Sequence, residues 1–147
     1  MAAEERGEVS TELLDDLLWY FMTERGGPAE SPDNSTGPIR DYVASRLIEW
    51  EVGNGGFAQA AYNCPEWLEA AAQGYDRLAL PKAAERIREA CRHIANEPNE
   101  FTKEPGTTIE KVFSEFSESN LSKLDEGLNE IGWWAIEKRI AYVRKNL

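Results

Sequence analysis

No part of this chain constrains its fold more than the stretch Glu51-Val52-Gly53-Asn54-Gly55-Gly56-Phe57-Ala58-Gln59-Ala60-Ala61-Tyr62-Asn63. Three glycines and an Asn interrupt what otherwise reads as helix on both sides. Gly and Asn are the residues that take φ > 0 at least cost. Phe57 follows the break at once, with Gln59 and Asn63 just beyond, and a solvated linker has no need of such side chains. The stretch therefore predicts a tight internal corner between two helices. At least one of Gly53, Asn54, Gly55 and Gly56 should have positive φ, Phe57 should be buried beside it, and Gln59 and Asn63 should tie down loop carbonyls.

The flanking segments are helical by period. In Thr11–Thr23, Leu13, Leu14, Leu17, Leu18 and Phe21 recur at three- and four-residue spacing, and Glu12, Asp15 and Asp16 fill the opposite face. Gly26-Gly27-Pro28 ends it, and residues 26–38 read as a loop. Pro38 suits a first helical turn, and Ile39, Tyr42, Val43, Arg46, Leu47 and Trp50 then form a stripe that runs into the corner. A short helix follows from Phe57 to Tyr62. Pro65 opens a helix with Trp67, Leu68, Ala71, Ala72 and Tyr75 inward. Pro81 opens its partner, with Ala84, Ile87, Ala90, Cys91 and Ile94 on one side. The two form a hairpin around Leu78-Ala79-Leu80-Pro81. Thr107 and Glu110 fit a capping box ahead of Val112, Phe113 and Phe116. Ser122 can cap a segment through Leu124, Leu128 and Ile131, and a last helix carries Trp133, Trp134, Ile136, Ile140 and Val143. No segment alternates with period two. The expectation is an all-α, compact single-domain bundle of six to eight short helices over residues 1–147, with 1–9 a frayed tail.

Charge narrows the function classes. Among 147 residues, 27 acids against 16 bases give a net charge of −11. Direct binding of nucleic acid rests on Lys and Arg neutralising phosphates, so it is not expected. A basic protein partner is. The acids concentrate in residues 1–30 and 94–130, and a basic segment, 131–147, follows. No apolar run of about 18 residues marks a membrane span, and Met1–Glu8 lacks a signal core. The expected setting is cytoplasmic, with Cys64 and Cys91 as reduced thiols.

The residues Glu51-Val52-x-Asn54-Gly55-Gly56-Phe57-x-Gln59, followed by Asn63, resemble the signature of a bacterial all-helical family, formerly a domain of unknown function, that is named after a DNA-mimic member. The similarity continues through Leu78-Ala79-Leu80-Pro81-Lys82-Ala83-Ala84, Leu121 to Leu128 and the terminal helix. Two departures stand out: Gly53 where a second Asn is usual, and Ala60 and Ala61 where bulky aromatics usually follow Gln59. The resemblance implies an all-helical fold, no established catalytic residues and, for the named member, imitation of DNA towards a DNA-binding regulator.

The acidic side chains are the candidate partner-binding groups: Glu8, Glu12, Asp15 and Asp16 in the first block, and Glu115, Glu118, Asp125 and Glu126 in the second. A four-residue helical step is about 6 Å, close to the phosphate spacing along one DNA strand of roughly 6–7 Å. The carboxylates of residues 8–16 and 115–130 are expected to stay exposed and to form at least one continuous stripe. The alternative reading of such a run is a solvated acidic face. Glu51, Asn54, Gly55, Gly56, Phe57, Gln59 and Asn63 form the structural motif. The corner could cradle a phosphate with backbone N–H groups, but no P-loop Lys follows and Glu51 repels anions. His93 and Cys91 lack further ligands for a metal site. There is no HExxH, no G-x-S-x-G and no convincing triad, and Glu49 and Glu51 diverge on a helix. No cofactor and no metal are expected.

Three functions remain. The first is an acidic protein-binding protein, a DNA mimic occupying the DNA-binding surface of a regulator, and not an enzyme. The second is a small-ligand-binding protein or enzyme centred on the Gly-rich corner. The third is an immunity- or antitoxin-like inhibitor of a basic partner. The adjacent Trp133 and Trp134 cannot both face one stripe: either both are shared between packing neighbours or one reaches an interface. The oligomeric state stays open, and a homodimer is compatible with the sequence.

Overall fold

The computed structural model describes residues 9–23, 31–96, 108, 110 and 121–147. All regular structure among them is helical: α1 (Thr11–Thr23), α2 (Gly37–Asn63), α3 (Leu68–Arg77), α4 (Pro81–Asn96) and α5 (Ile136–Asn146), with 3-10 turns at Pro32–Asn34, Pro65–Trp67, Ser122–Asp125 and Leu128–Ile131. No strand occurs among the described residues. Five α-helices are delineated among the described residues, with α2 bent into two pieces. The capping box at 107–110 and the apolar stripe at 112–116 lie wholly or partly outside the described residues, as does the expected tail up to residue 8.

Helix α2 is the spine. It packs against α1, α3, α5 and both Pro65–Trp67 and Ser122–Asp125. Its bend falls where the glycines predict it. Gly53 and Asn54 continue the helix, Gly55 leaves it (φ −154°, ψ 22°), and Gly56 takes φ 72°, ψ −175°. That last conformation belongs to a region populated almost only by glycine. Phe57 is fully buried at the start of the second piece.

The α3–α4 hairpin forms as expected. Trp67, Leu68, Ala71, Ala72 and Tyr75 are buried, facing Ala84, Ile87 and Ala90 in the core. Helix α3 ends in a Schellman motif: Leu80 N–H donates to the Tyr75 carbonyl at 2.9 Å and Ala79 N–H to the Asp76 carbonyl at 3.0 Å. Ala79 holds the left-handed position that usually belongs to Gly, at φ 59°.

Two expectations need correction. Helix α1 is rotated relative to the predicted face. Leu13, Leu17 and Phe21 are exposed, whereas Asp15 is buried with Leu14, Leu18, Trp19 and Met22 beside it. Apolar residues cover so wide an arc of this helix that two faces could turn inward, and the pairing of Asp15 decides between them. The segment after Leu121 is not one helix capped by Ser122. It is a pair of 3-10 turns, because the chain becomes left-handed at Gly127 (φ 70°) and again at Gly132 (φ 74°). It delivers Trp133 to the centre of the core, edge-on to Phe57 at 5.3 Å and stacked on Tyr75 at 5.2 Å. Trp134, its neighbour, points out.

Candidate interaction surface

The corner is a closed structural unit. The Glu51 carboxylate, buried at the end of the first piece of α2, accepts hydrogen bonds from Gln59 Nε2 and Asn63 Nδ2, both at 2.8 Å. The expectation that these amides hold loop carbonyls is thereby corrected: they hold Glu51. A buried carboxylate needs such donors, and the spacing of Glu51, Gln59 and Asn63 places both amides within reach across the bend. From outside the helix, Asp125 Oδ1 accepts the Phe57 N–H at 2.8 Å. This caps the second piece of α2, whose first N–H groups have no helical partner. The N–H that a bound phosphate would require is thus already engaged by a carboxylate. Burial pushes the Asp125 carboxyl above its ordinary value, against the opposing pull of the Phe57 N–H and Arg86.

Below the corner lies a charged cluster that the sequence reading missed. Arg139 of α5 is 1% exposed. Its Nη2 meets Glu49 at 2.8 Å, and its Nε faces Asp15 at 3.5 Å. Glu49 also accepts the Ala135 N–H at 2.6 Å, so α2 caps the start of α5. Asp15, 4% exposed, is met by Arg46 Nε at 2.7 Å and accepts the Tyr42 hydroxyl at 2.9 Å. Burial raises the Tyr42 phenol far above its ordinary value, with the Asp15 carboxylate adding to it. The Tyr75 phenol is raised in the same way by burial and then Glu49. Both remain donors. For Arg139, burial opposes the charge, but Glu49 and Asp15 outweigh it and hold the guanidinium above its usual value. A second cluster joins α2, α3 and α5: Asp41 pairs with Arg77 and accepts the Tyr142 hydroxyl at 2.6 Å. Tyr142 is pushed up to about 12, by burial and by Asp41. The available signal was a polar residue inside an apolar stripe, as at Asp41, Arg46 and Arg139.

The expected partner-binding residues divide. Glu8, Glu115 and Glu118 lie outside the described residues. Glu12, Asp16 and Glu126 are exposed. Asp15 is corrected: it is buried, and its burial is offset by Arg46, Arg139 and the Tyr42 hydroxyl, which pair with and hydrogen-bond its carboxylate. Asp125 is half-buried and turned to the corner rather than displayed. The segment with Asp125 and Glu126 packs on α2 and α4, whereas α1 packs on α5 and α2. On α1, Glu12 and Asp16 are one turn apart, and Glu12 makes no ion pair among the described residues. Arg46, Arg77, Arg88, Arg92 and Arg139 are all engaged by carboxylates of this chain, and Glu12, Glu66, Glu130 and Glu137 are exposed with no ion pair among the described residues; Arg86 donates to the Glu126 carbonyl at 2.6 Å.

Among the described residues, no group of three or more His, Cys, Asp and Glu could hold a metal ion. Cys64 is buried and Cys91 half-buried, and neither is in a disulfide. No described helix is long and apolar enough to cross a membrane.

No curated protein and no solved structure shows significant similarity to the chain. The sequence profile of the DMP19-like protein family matches residues 33–146, and the chain belongs to that family, which is named after a DNA-mimic protein.

Proposed function

We propose that this member of the DMP19-like family is a protein-binding protein that acts through displayed carboxylates, occupying the DNA-binding surface of a basic regulator. The observation that carries the reading is the contrast between buried and displayed charge. Arg46 and Arg139 are spent on the internal carboxylates Asp15 and Glu49, while Glu12, Glu130 and Glu137 face outward with no ion pair among the described residues. The surface shown to a partner is therefore strongly acidic, and on α1 the step from Glu12 to Asp16 is about 6 Å along a rigid helix. Family membership supplies the kind of partner. The engagement of the Phe57 N–H by Asp125 favours this reading over a phosphate-binding corner.

The test is capture of partners from native lysate on immobilised protein, with a salt titration and the double reversal Glu12→Lys with Asp16→Lys. Asp15 is left intact because reversing it would break the core. The expected result is a basic DNA-binding protein that dissociates as salt rises and is no longer retained by the reversed variant, whose circular dichroism is unchanged. A partner retained equally at high salt, or equally by the double variant together with Glu126→Lys, would overturn the reading. A captured basic toxin would replace the regulator with the inhibitor role.

A further inference from the structure

Two tryptophans stand on the surface beside the α1 carboxylates. Trp50 is 63% exposed and Trp134 is 53% exposed. Trp134 is held in place despite its exposure. Its indole N–H donates to Asn129 Oδ1 at 2.6 Å, and its ring lies on Gly53, where an added Cβ would come within 3.2 Å of Cη2. Gly53 keeps helical geometry, so glycine serves here for space and not for a special φ. The two indoles wall an open groove of about 400 Å³ that Glu12, Asp16, Glu49 and Arg46 also line.

The charges in this groove do not balance. It presents four carboxylates, the fourth being Asp15, and one guanidinium, Arg46. Arg139 behind Glu49 cancels one more, leaving an excess of two negative charges. Arg46 does not face an incoming cation freely, because Asp15 at 2.7 Å and Asp16 at 2.6 Å already grip it. It also shows the binding mode within the chain: its guanidinium lies over the Trp19 ring, 4.8 Å from the centroid, while two carboxylates hold its nitrogens. In the groove, Trp50, Trp134 and Glu12 bring together the same two kinds of group, indole and carboxylate. A planar, delocalised cation suits it better than an ammonium. A guanidinium can stack on an indole and still donate to a carboxylate in the ring plane.

We infer that this groove is a binding site for an arginine side chain, filled, on the reading proposed above, by an arginine of the basic partner. The groove supplies the specificity that displayed charge alone lacks, since exposed charges steer encounter more than they select a partner.

The test is NMR titration of the full chain with the blocked peptide acetyl-Gly-Arg-Gly-amide, followed on the indole N–H signals. Its lysine and citrulline counterparts serve as comparisons. The expected result is a saturable shift of the Trp50 and Trp134 signals with the arginine peptide, with those of buried Trp67 and Trp133 unmoved. The lysine peptide should bind several-fold more weakly, and the citrulline peptide, isosteric and neutral, should give no saturable shift. Glu12→Gln should weaken the arginine peptide several-fold. Gly53→Gln places a better helix former at a helical position, so the fold is kept while Trp134 loses its seat, and binding should fall with it. No saturable shift, equal shifts from citrulline, or full binding by Gly53→Gln would each overturn the inference. If a basic partner is still captured in a salt-sensitive way after such a result, the acidic-surface reading stands without this site. If the peptide binds and no basic partner is captured, the site stands and that reading falls.

Discussion

Gly56 and Asp125 show how single residues fix the corner. At φ 72°, ψ −175°, any side chain at position 56 is strained, and a Cβ there would collide with the Asp125 carboxylate. Gly55, at φ −154°, carries no left-handed requirement. Gly56→Ala should therefore cost about 1–3 kcal/mol, and Gly55→Ala distinctly less, as measured by chemical denaturation. Equal effects would show that the corner is merely glycine-rich and not built around position 56. Asp125 makes a separate prediction. Its folded carboxyl is raised above the ordinary 3.8, mainly by burial. The folded state thus binds the proton more tightly than the unfolded one, so this group's contribution is most favourable at low pH and declines as pH rises from 3.8 through the raised value. Asp125→Asn keeps an oxygen for the Phe57 N–H and removes the titration. Its stability relative to the parent should rise across that window and then stay level. Parallel pH profiles for the two proteins would refute this, and Asp125→Ala should lose about 0.5–2 kcal/mol at any pH as a lost cap.

At the scale of elements, the sequence was readable where one physical rule acted alone. The Gly-rich stretch had to bend α2, and the Pro-initiated apolar stripes of α3 and α4 had one face each to bury. The sequence was silent where two rules competed. Along α1, Leu13, Leu17 and Phe21 compete with Leu14, Leu18 and Met22 for the core, and periodicity alone cannot rank them. The choice falls to Asp15, whose partners Arg46 and Arg139 are distant in sequence. The same reach explains why Glu49 could not be foreseen as the cap of α5, or Gln59 and Asn63 as donors to Glu51. The α3–α4 turn offers a test within one element. Ala79 occupies the left-handed position of a complete Schellman motif with its side chain exposed. L-residues lose roughly 1–2 kcal/mol in that conformation, and Gly escapes it at some cost in unfolded-state entropy. Ala79→Gly should raise the melting temperature, and a fall would mean that the Ala79 methyl packs usefully against its surroundings.

Across the whole molecule, charge acts with opposite signs on folding and on binding. A net −11 on 147 residues means that the folded chain repels itself. The pairs shielded from solvent are Arg139 with Glu49 and Asp15 and Arg46 with Asp15, whereas Arg88 with Asp76 and Arg92 with Glu85 lie at the surface. Salt screens exposed charges over about 10 Å at 0.1 M but reaches buried pairs much less. Raising salt should therefore relieve the repulsion among the displayed acids while leaving the internal pairs nearly intact, and the melting temperature of the isolated protein should rise. The same salt should weaken capture of a basic partner, because that association draws on the displayed acids. The two trends need to be read on one preparation, by thermal melts and partner retention over a shared salt series. Stability and capture falling together would mean that the surface pairs carry the fold. Stability rising while capture persists would mean that the interface is apolar, with the exposed Leu13, Leu17, Tyr20 and Phe21 of α1 the first place to look for it.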